Sequence, residues 1–296
     1  SLVAPAYEAA LSWTRLVGTT EHDSGYGVAV DGSGNVYVTG YASGNLDGQT
    51  NAGGNDIALI KFNSAGTKLW TRLVGTSSGD DGRGVAADGS GNVYVTGNMY
   101  GDLDGQTNAG NSDIALIKFN SAGTKLWTRL VGTPSSDYGY GVAVDGNGDV
   151  YVTGYTSGDL DSQTSAGGRD IALIKFNNAG TKLWTRLVGT SSSDYGYGVA
   201  VDSNGDVYVT GHTLGSLDSQ ANAGLRDIAL IKFNSAGTKL WTRLVGTSSS
   251  DFSLGVAVDG DGGVYIAGYT SGNLDGQTNA SSADMVVRKF VLWPGA

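Results

Sequence analysis

Cysteine is absent from all 296 residues, which removes disulfides, thiolate metal sites and cysteine nucleophiles together. Histidine is almost absent too. His22 and His212 are the whole complement, too few for a His-rich metal centre, and no Ser-His-Asp set or phosphate loop accompanies them. Lys and Arg total 18 against 28 acidic residues, for a net charge of −10 without any basic run. A nucleic-acid binder needs a positive footprint to displace counterions, so that class is excluded. No apolar run approaches the roughly 18 residues of a membrane-spanning helix. Helix formers are scarce, and Glu is represented by Glu8 and Glu21 alone, which leaves 26 of the 28 acidic residues as Asp. A short carboxylate bonds nearby backbone N–H groups, so this excess points to turns.

What the chain has instead is a period. Trp13, Trp70, Trp127, Trp184 and Trp241 stand 57 residues apart, each opening the phrase Trp-Thr-Arg-Leu-Val-Gly. Residues 127–183 and 184–240 differ at 9 positions and agree at 48 of 57. A period of this length, filled with Val, Thr, Tyr and Gly, specifies a radial repeat architecture and one domain over 1–296 rather than a string of domains. The chain opens Ser1-Leu2-Val3 without an initiator Met, as a processed or trimmed form does.

Each unit reads as four strands. In the second they are Gly84–Ala87, Val93–Gly97, Asp113–Phe119 and Leu126–Val131, separated by the turns Asp88–Asn92 and Asn120–Lys125 and by one loop of about fifteen residues. Four antiparallel strands per repeat make a β-propeller blade. The expected fold is all-β, a five-bladed propeller with units near 27–74, 84–131, 141–188, 198–245 and 255–290. Residues 12–17, a fourth-type strand with no first three before it, are expected to complete the last blade and join the ends.

The phrase Gly-Val-Ala-Val-Asp-Gly-Ser-Gly-Asn-Val-Tyr-Val-Thr-Gly-Tyr at residues 27–41 resembles the bacterial SBBP β-propeller repeat. The likeness extends through Asp-Ile-Ala-Leu-Ile-Lys-Phe and Leu-Trp-Thr-Arg and covers residues 12–290. It implies an exported or cell-surface bacterial propeller and carries over no catalytic residues.

Strand alternation puts the fourth-to-first and second-to-third loops on one face, where a protein or glycan partner is expected. Asp23, Asp80, Asp137, Asp194 and Asp251 recur there. Tyr138, Tyr195 and Phe252 follow three of them, and Tyr26, Arg83, Tyr140, Tyr197 and Leu254 lie three residues after each in turn. This is either a sugar site, with carboxylates bonding hydroxyls and aromatics stacking on pyranoses, or loop anchoring with tyrosines packed between blades. The loop Ser43-Gly44-Asn45-Leu46-Asp47-Gly48 and its copies alternate oxygen side chains before a Gly. Asp47, Asp104, Asp161, Asp218 and Asp275 are therefore weighed as calcium ligands against an Asx-turn scaffold, and Gly54 stands where an EF-type loop would want Glu. Asp56, Asp113, Asp170, Asp227 and Asp284 are expected to cap loop amides. The Trp series belongs to the blade-to-blade core, and Lys118 and Arg129 are expected to solvate the blade exterior.

Glycosidase chemistry needs two carboxylates with separated pKa values, and repeated Asp residues in near-identical surroundings work against that separation. The chain therefore reads as non-enzymatic, monomeric and without a cofactor. It is an interaction or structural scaffold, or alternatively a multivalent lectin whose weak sites gain by avidity. Near-identical blades also suit recent duplication or an engineered symmetric propeller. A glycoside-acting enzyme is the remaining alternative.

Overall fold

A computed structural model describes residues 11–291. Among these residues nineteen strands and no helix are found, and the strands form five antiparallel sheets. Blade 1 holds β1 (Asp23–Val30), β2 (Val36–Ala42), β3 (Asp56–Phe62) and β4 (Lys68–Val74). Blade 2 holds β5 (Asp81–Ala87), β6 (Val93–Met99), β7 (Asp113–Phe119) and β8 (Lys125–Val131). Blade 3 follows with β9 (Tyr138–Val144), β10 (Val150–Thr156), β11 (Asp170–Phe176) and β12 (Lys182–Val188). Blade 4 has β13 (Asp194–Val201), β14 (Val207–Thr213), β15 (Asp227–Phe233) and β16 (Lys239–Val245). Blade 5 has β17 (Asp251–Val258), β18 (Val264–Thr270) and β19 (Asp284–Phe290).

Every sheet is a meander in which sequence neighbours pair. The inner strand starts earlier than the sequence suggests, at Asp81 rather than Gly84, because a bulge between Gly82 and Gly84 lets pairing continue past the irregularity. That bulge brings backbone close. A Cβ on Gly97 would lie 1.9 Å from the Asp81 carbonyl oxygen, so only glycine fits there.

The middle strands Asp-Ile-Ala-Leu-Ile-Lys-Phe read as unbroken apolar runs because both of their faces are covered. Tyr37, Ile57, Leu59 and Val74 on one side of blade 1 pack against Val93, Val95, Ala115, Ile117 and Phe119 on the other side of blade 2. The same two faces meet between blades 2 and 3, 3 and 4, and 4 and 5. Stacked sheets of this kind form one continuous core in which each deletion leaves a cavity.

A polar latch ties the outer strands of blades 1 to 3 to the next blade. Trp70 Nε1 donates to the Ser121 carbonyl at 3.2 Å, and Arg72 Nε donates to the Gly123 carbonyl at 2.6 Å. Arg129 repeats this on Gly180 at 2.6 Å, while Lys118 is buried with its ammonium 3.2 Å from the Asn178 carbonyl and 5.0 Å from the centre of the Tyr94 ring. This corrects the expectation that Lys118 and Arg129 merely solvate the exterior: both donate to backbone carbonyls that the neighbouring blade's hairpin leaves free. The Trp series sits at these junctions as expected, half-buried, with Trp127 tilted against Tyr94 at 6.1 Å.

The ends differ from expectation. Among the described residues the last sheet has three strands, and residues 11–19 form none. Those residues lie on blade 1, where Trp13 Nε1 donates to the Ser64 carbonyl at 3.1 Å and Arg15 Nε to the Gly66 carbonyl at 2.7 Å. The partners are the ones that Trp70 and Arg72 find on blade 2, so the segment already holds the place of a fourth strand preceding blade 1. Among the described residues no blade lies behind it. Val28 and Val30 of β1 are 68% and 61% exposed, and Met285 and Val287 of β19 are 93% and 77% exposed. The inner strands pack β1 on β5, β5 on β9, β9 on β13 and β13 on β17, with no packing of comparable extent joining β17 to β1.

Candidate functional site

The loops expected to share a face do so, and the repeated aspartates show why the loops hold their shape. Asp137 is fully buried. Its Oδ2 accepts from the Thr133 backbone N–H at 2.6 Å and from the Thr133 hydroxyl at 2.9 Å, and its Oδ1 accepts from the Ser157 N–H at 3.2 Å. Asp23, Asp80, Asp194 and Asp251 bond Thr19, Thr76, Thr190 and Thr247 in the same way. Each carboxylate thus ties the fourth-to-first loop to the loop after the second strand or to its own Thr. Burial pushes the carboxyls of Asp80 and Asp194 above their ordinary value, against the hydrogen bonds that lower them.

The other Asp series are structural by the same test. Asp113 caps the Ala109 N–H at 2.9 Å, and its four copies cap their own loop amides. Asp88 Oδ1 accepts from Ser90 and Asn92 at 2.9 Å inside the first hairpin turn, while Oδ2 takes the Tyr94 hydroxyl at 3.2 Å.

The calcium candidates do not fit a cation. Asp104 has φ 51° and Gly105 φ 73°, between Leu103 and Gln106, which exchange two backbone bonds at 3.0 and 2.8 Å. That is a two-residue hairpin of type I′, for which Asp-Gly is the favoured pair. The Asp104 oxygens are taken by the Lys125 ammonium at 2.6–2.8 Å and by the Thr128 hydroxyl at 2.6 Å. Burial alone would raise this carboxyl, but the bonds from Lys125 and Thr128 outweigh it and hold it below its ordinary value. Asp47, Asp161 and Asp218 are engaged likewise by Lys68, Lys182 and Lys239, and Asp275 by Arg288 at 3.0 Å. A cationic side chain beside each carboxylate, ammonium in four copies and guanidinium at Asp275, occupies the place a divalent ion would need. The described residues hold no group of three or more His, Asp or Glu arranged for a metal.

The aromatics, unlike the aspartates, gather. Tyr138 stacks on Tyr155 at 5.0 Å, and Tyr155 meets Tyr195 edge-on at 5.1 Å. Tyr195 stacks on His212 at 4.6 Å, His212 meets Phe252 at 4.5 Å, and Phe252 stacks on Tyr269 at 4.5 Å. Tyr140 and Tyr197, one strand turn inward, contact each other at 5.0 Å. The result is an aromatic belt running across blades 3, 4 and 5. Burial, with the Arg226 guanidinium nearby, pulls His212 down to about 4, so it is neutral at pH 7.

Sequence reading found Tyr138, Tyr195 and Phe252 but missed Tyr155, His212 and Tyr269, which come from the second strand of the blade. The missing signal was register: Tyr155 pairs with Tyr138 directly across the sheet. Reading also missed Arg169 and Arg226. Arg169 lies over Tyr155 at 5.0 Å and over Tyr195 at 5.4 Å, hydrogen-bonding the Tyr195 hydroxyl, and Arg226 lies over Phe252 at 5.3 Å. In blades 1 and 2 the corresponding positions are mixed: Tyr41 keeps the ring of Tyr155 and meets Tyr26 at 5.9 Å, and Arg83 lies over Tyr26 at 4.3 Å, while the rest are polar. Asn55 Nδ2 donates to Asp81 Oδ1 at 3.2 Å, Asp81 pairs with Arg83 at 2.9 Å, and Asn98 stands where blade 3 has Tyr155.

With this geometry established, the comparisons with known proteins are informative. A family model for the SBBP β-propeller repeat matches residues 12–47, 69–104, 126–161, 183–218 and 240–275. The chain belongs to the SBBP β-propeller repeat family. The SBBP repeats also align with a regulatory protein, FlaEY, of Caulobacter vibrioides, at 29% identity over 85% of this chain and 31% of that protein. A probable autotransporter, YcgV, of Escherichia coli K12 matches at 26% identity over 77% of this chain and 20% of its own length. The N-acetylneuraminate epimerase of Escherichia coli O157:H7 matches at 26% identity over 74% of this chain and 67% of the enzyme. The chain spans less than a third of the first two. A solved protein of unknown function from Bacteroides caccae is similar over 82% of this chain and 70% of its own, with TM-score 0.46 and 14% identity.

Proposed function

We propose that this SBBP propeller is a non-enzymatic interaction scaffold of an exported or cell-surface protein, and that it meets its partner through the long-loop face. The observation that carries this reading is the division of labour in the repeat. Four Asp positions per unit, twenty of the 26 aspartates, serve loop and hairpin geometry. The belt positions instead differ from blade to blade and stay half-exposed at Tyr138, Tyr195 and Phe252. A rigid sheet framework carrying variable loop-face chemistry is the usual arrangement of a binding module. The non-enzymatic reading is supported by the carboxylates being taken by amides and hydroxyls, with no acid–base pair exposed at the belt. The likeness to an autotransporter supports export, and no helix is long and apolar enough to cross a membrane among the described residues.

The second reading is a lectin, favoured by the stacked belt itself, since aromatic faces accept pyranose rings. A glycan array screened with the protein and with a Tyr138→Ala, Tyr195→Ala, Tyr197→Ala variant separates the two. The scaffold reading expects a blank array from both. A sugar-competable hit that the variant loses establishes the lectin, and turnover of a glycan that depends on the Asp80 series would refute both.

The same proposal includes a closed ring. The bare side of blade 1 and the bare side of blade 5 are the two halves of an interface formed four times elsewhere. Shifted by whole repeats, the β3–β4 register pairs Met285, Val286 and Val287 with Val17, Leu16 and Arg15. Residues 12–17 would then supply the fourth strand of blade 5 and bury both faces at once.

A further inference from the structure

The belt is unequal around the ring, and its charge is the informative part. Arg169 and Arg226 occupy one repeat position in consecutive blades, each laid over aromatic rings at 5.0–5.4 Å. Among the described residues neither has a carboxylate within ion-pair distance, whereas Arg83 on the other side of the mouth is neutralised by Asp81 at 2.9 Å. Arg72, Arg129 and Arg186 also lie over rings without a carboxylate, but the next blade's carbonyls take their Nε donors, whereas Arg169 and Arg226 meet only the side-chain oxygens of Tyr195 and Ser250 among the described residues. Guanidinium is the weakly hydrated cation that stacks on rings while leaving its fork of donors free for an oxyanion. Beneath them Tyr155 and His212 are buried as a floor, and Tyr195 and Phe252 remain half-exposed.

We propose that the mouth over blades 3 to 5 binds an acidic saccharide chain, with ring faces on Tyr138, Tyr195 and Phe252 and successive carboxylates on Arg169 and Arg226. The unit of one aromatic face and one guanidinium recurs from blade 3 to blade 4. A polyuronate repeats the complementary unit, an apolar pyranose face and a carboxylate, along a stiff backbone. An acidic peptide offers the charge without the flat faces. Blade 1 offers rings at Tyr26 and Tyr41, and Arg83 of blade 2 lies over Tyr26 at 4.3 Å, but Asp81 takes that guanidinium at 2.9 Å, so the site is one arc and not five equal pockets. This inference rests on the second, lectin reading of the long-loop face and narrows its ligand to an acidic glycan.

The test is calorimetric titration of the whole chain with an oligogalacturonate, its methyl ester and poly-aspartate. The oligogalacturonate is expected to bind, the uncharged ester at least roughly tenfold more weakly, as loss of a charge-assisted contact implies. Arg169→Gln with Arg226→Gln is expected to weaken the acid about tenfold or more while leaving the residual ester affinity unchanged. Lys182→Gln with Lys239→Gln, which removes equal charge from two outer strands, is expected to change nothing at the mouth. Urea unfolding checks that each variant is folded. Equal affinity for acid and ester, equal affinity for poly-aspartate, indifference to the double Arg change, or no binding by the folded protein each overturns the proposal. The methyl ester bound as tightly as the acid, and lost in Tyr195→Ala, would still uphold the lectin reading, so the two failures are distinguishable.

Discussion

Asp137→Ala separates the anchoring role of the Asp series from a ligand role. The change deletes three bonds, to Thr133 N–H at 2.6 Å, to the Thr133 hydroxyl at 2.9 Å and to Ser157 N–H at 3.2 Å. The donors lie in a buried corner, with Thr133 3% exposed. A hydrogen bond to a charged acceptor contributes about 1.5–3 kcal/mol, and an orphaned buried donor costs about 1–3 kcal/mol. Partial rehydration of the emptied corner offsets some of this, and bonds sharing one acceptor are not additive. The expected loss is about 3–5 kcal/mol, a large share of the roughly 5–15 kcal/mol that holds a domain together. Asp137→Asn keeps one acceptor oxygen and is expected to lose about half as much. Urea unfolding followed by tryptophan fluorescence reads both, as a fall in midpoint with the slope retained. A loss below about 1 kcal/mol, the range of ordinary surface substitutions, would show that these bonds do not anchor the loop and would return Asp137 to the list of free ligand groups.

Three further outcomes follow from the same geometry. Burial, with Asp251 nearby, raises the folded-state carboxyl of Asp227 above 3.8, so its contribution is present below that value and is lost as pH rises through the folded value. Urea midpoints measured across pH should therefore shift in favour of Asp227→Asn, relative to the unaltered chain, as pH rises, and a pH-independent difference would contradict the sign. Calcium chloride should leave the thermal midpoint unmoved, because Lys125 and Thr128 already take the Asp104 oxygens; a midpoint that climbs with ion concentration would place a cation there. Gly141→Ala sets a Cβ 2.7 Å from the Tyr197 carbonyl of the next blade, whereas the same change at Gly255 meets nothing within 4 Å. In the closed ring both should cost about 1–3 kcal/mol by overpacking, and a neutral Gly255→Ala beside a damaging Gly141→Ala would show an open end.

Strand order and hairpins were legible because each rests on local chemistry. Asp-Gly and Ala-Gly turns set the hairpins, and the unbroken Ile-Ala-Leu-Ile run announced a strand covered on both faces. The capping role of Asp113 and the junction place of Trp127 were legible for the same reason. The start of β5 was not, since the bulge at Gly82–Gly84 is a pairing event with no sequence mark. In sequence Asp104 stands open between a turn and a calcium ligand, because Asp-Gly in a two-residue hairpin and Asp before Gly in a calcium loop look alike until Lys125 is seen beside it. The belt escaped for a different reason. Tyr155, His212 and Arg169 are far in sequence from Tyr138 and Tyr195, and only cross-strand register and blade packing bring them together. Lys118 and Arg129 were placed outside because charge suggests solvent, yet the carbonyls left free by the next blade's hairpin needed donors.

One cross-link tests most directly whether the five repeats make a ring. The chain has no cysteine, so Leu16→Cys with Val286→Cys introduces a single possible pair. Residues paired across antiparallel strands sit roughly 4.5–5.5 Å apart at Cα, within disulfide range. Mild oxidation should give a monomer with no free thiol and a raised unfolding midpoint. Two free thiols, or disulfide-linked dimers in place of the monomer, would contradict closure by residues 12–17.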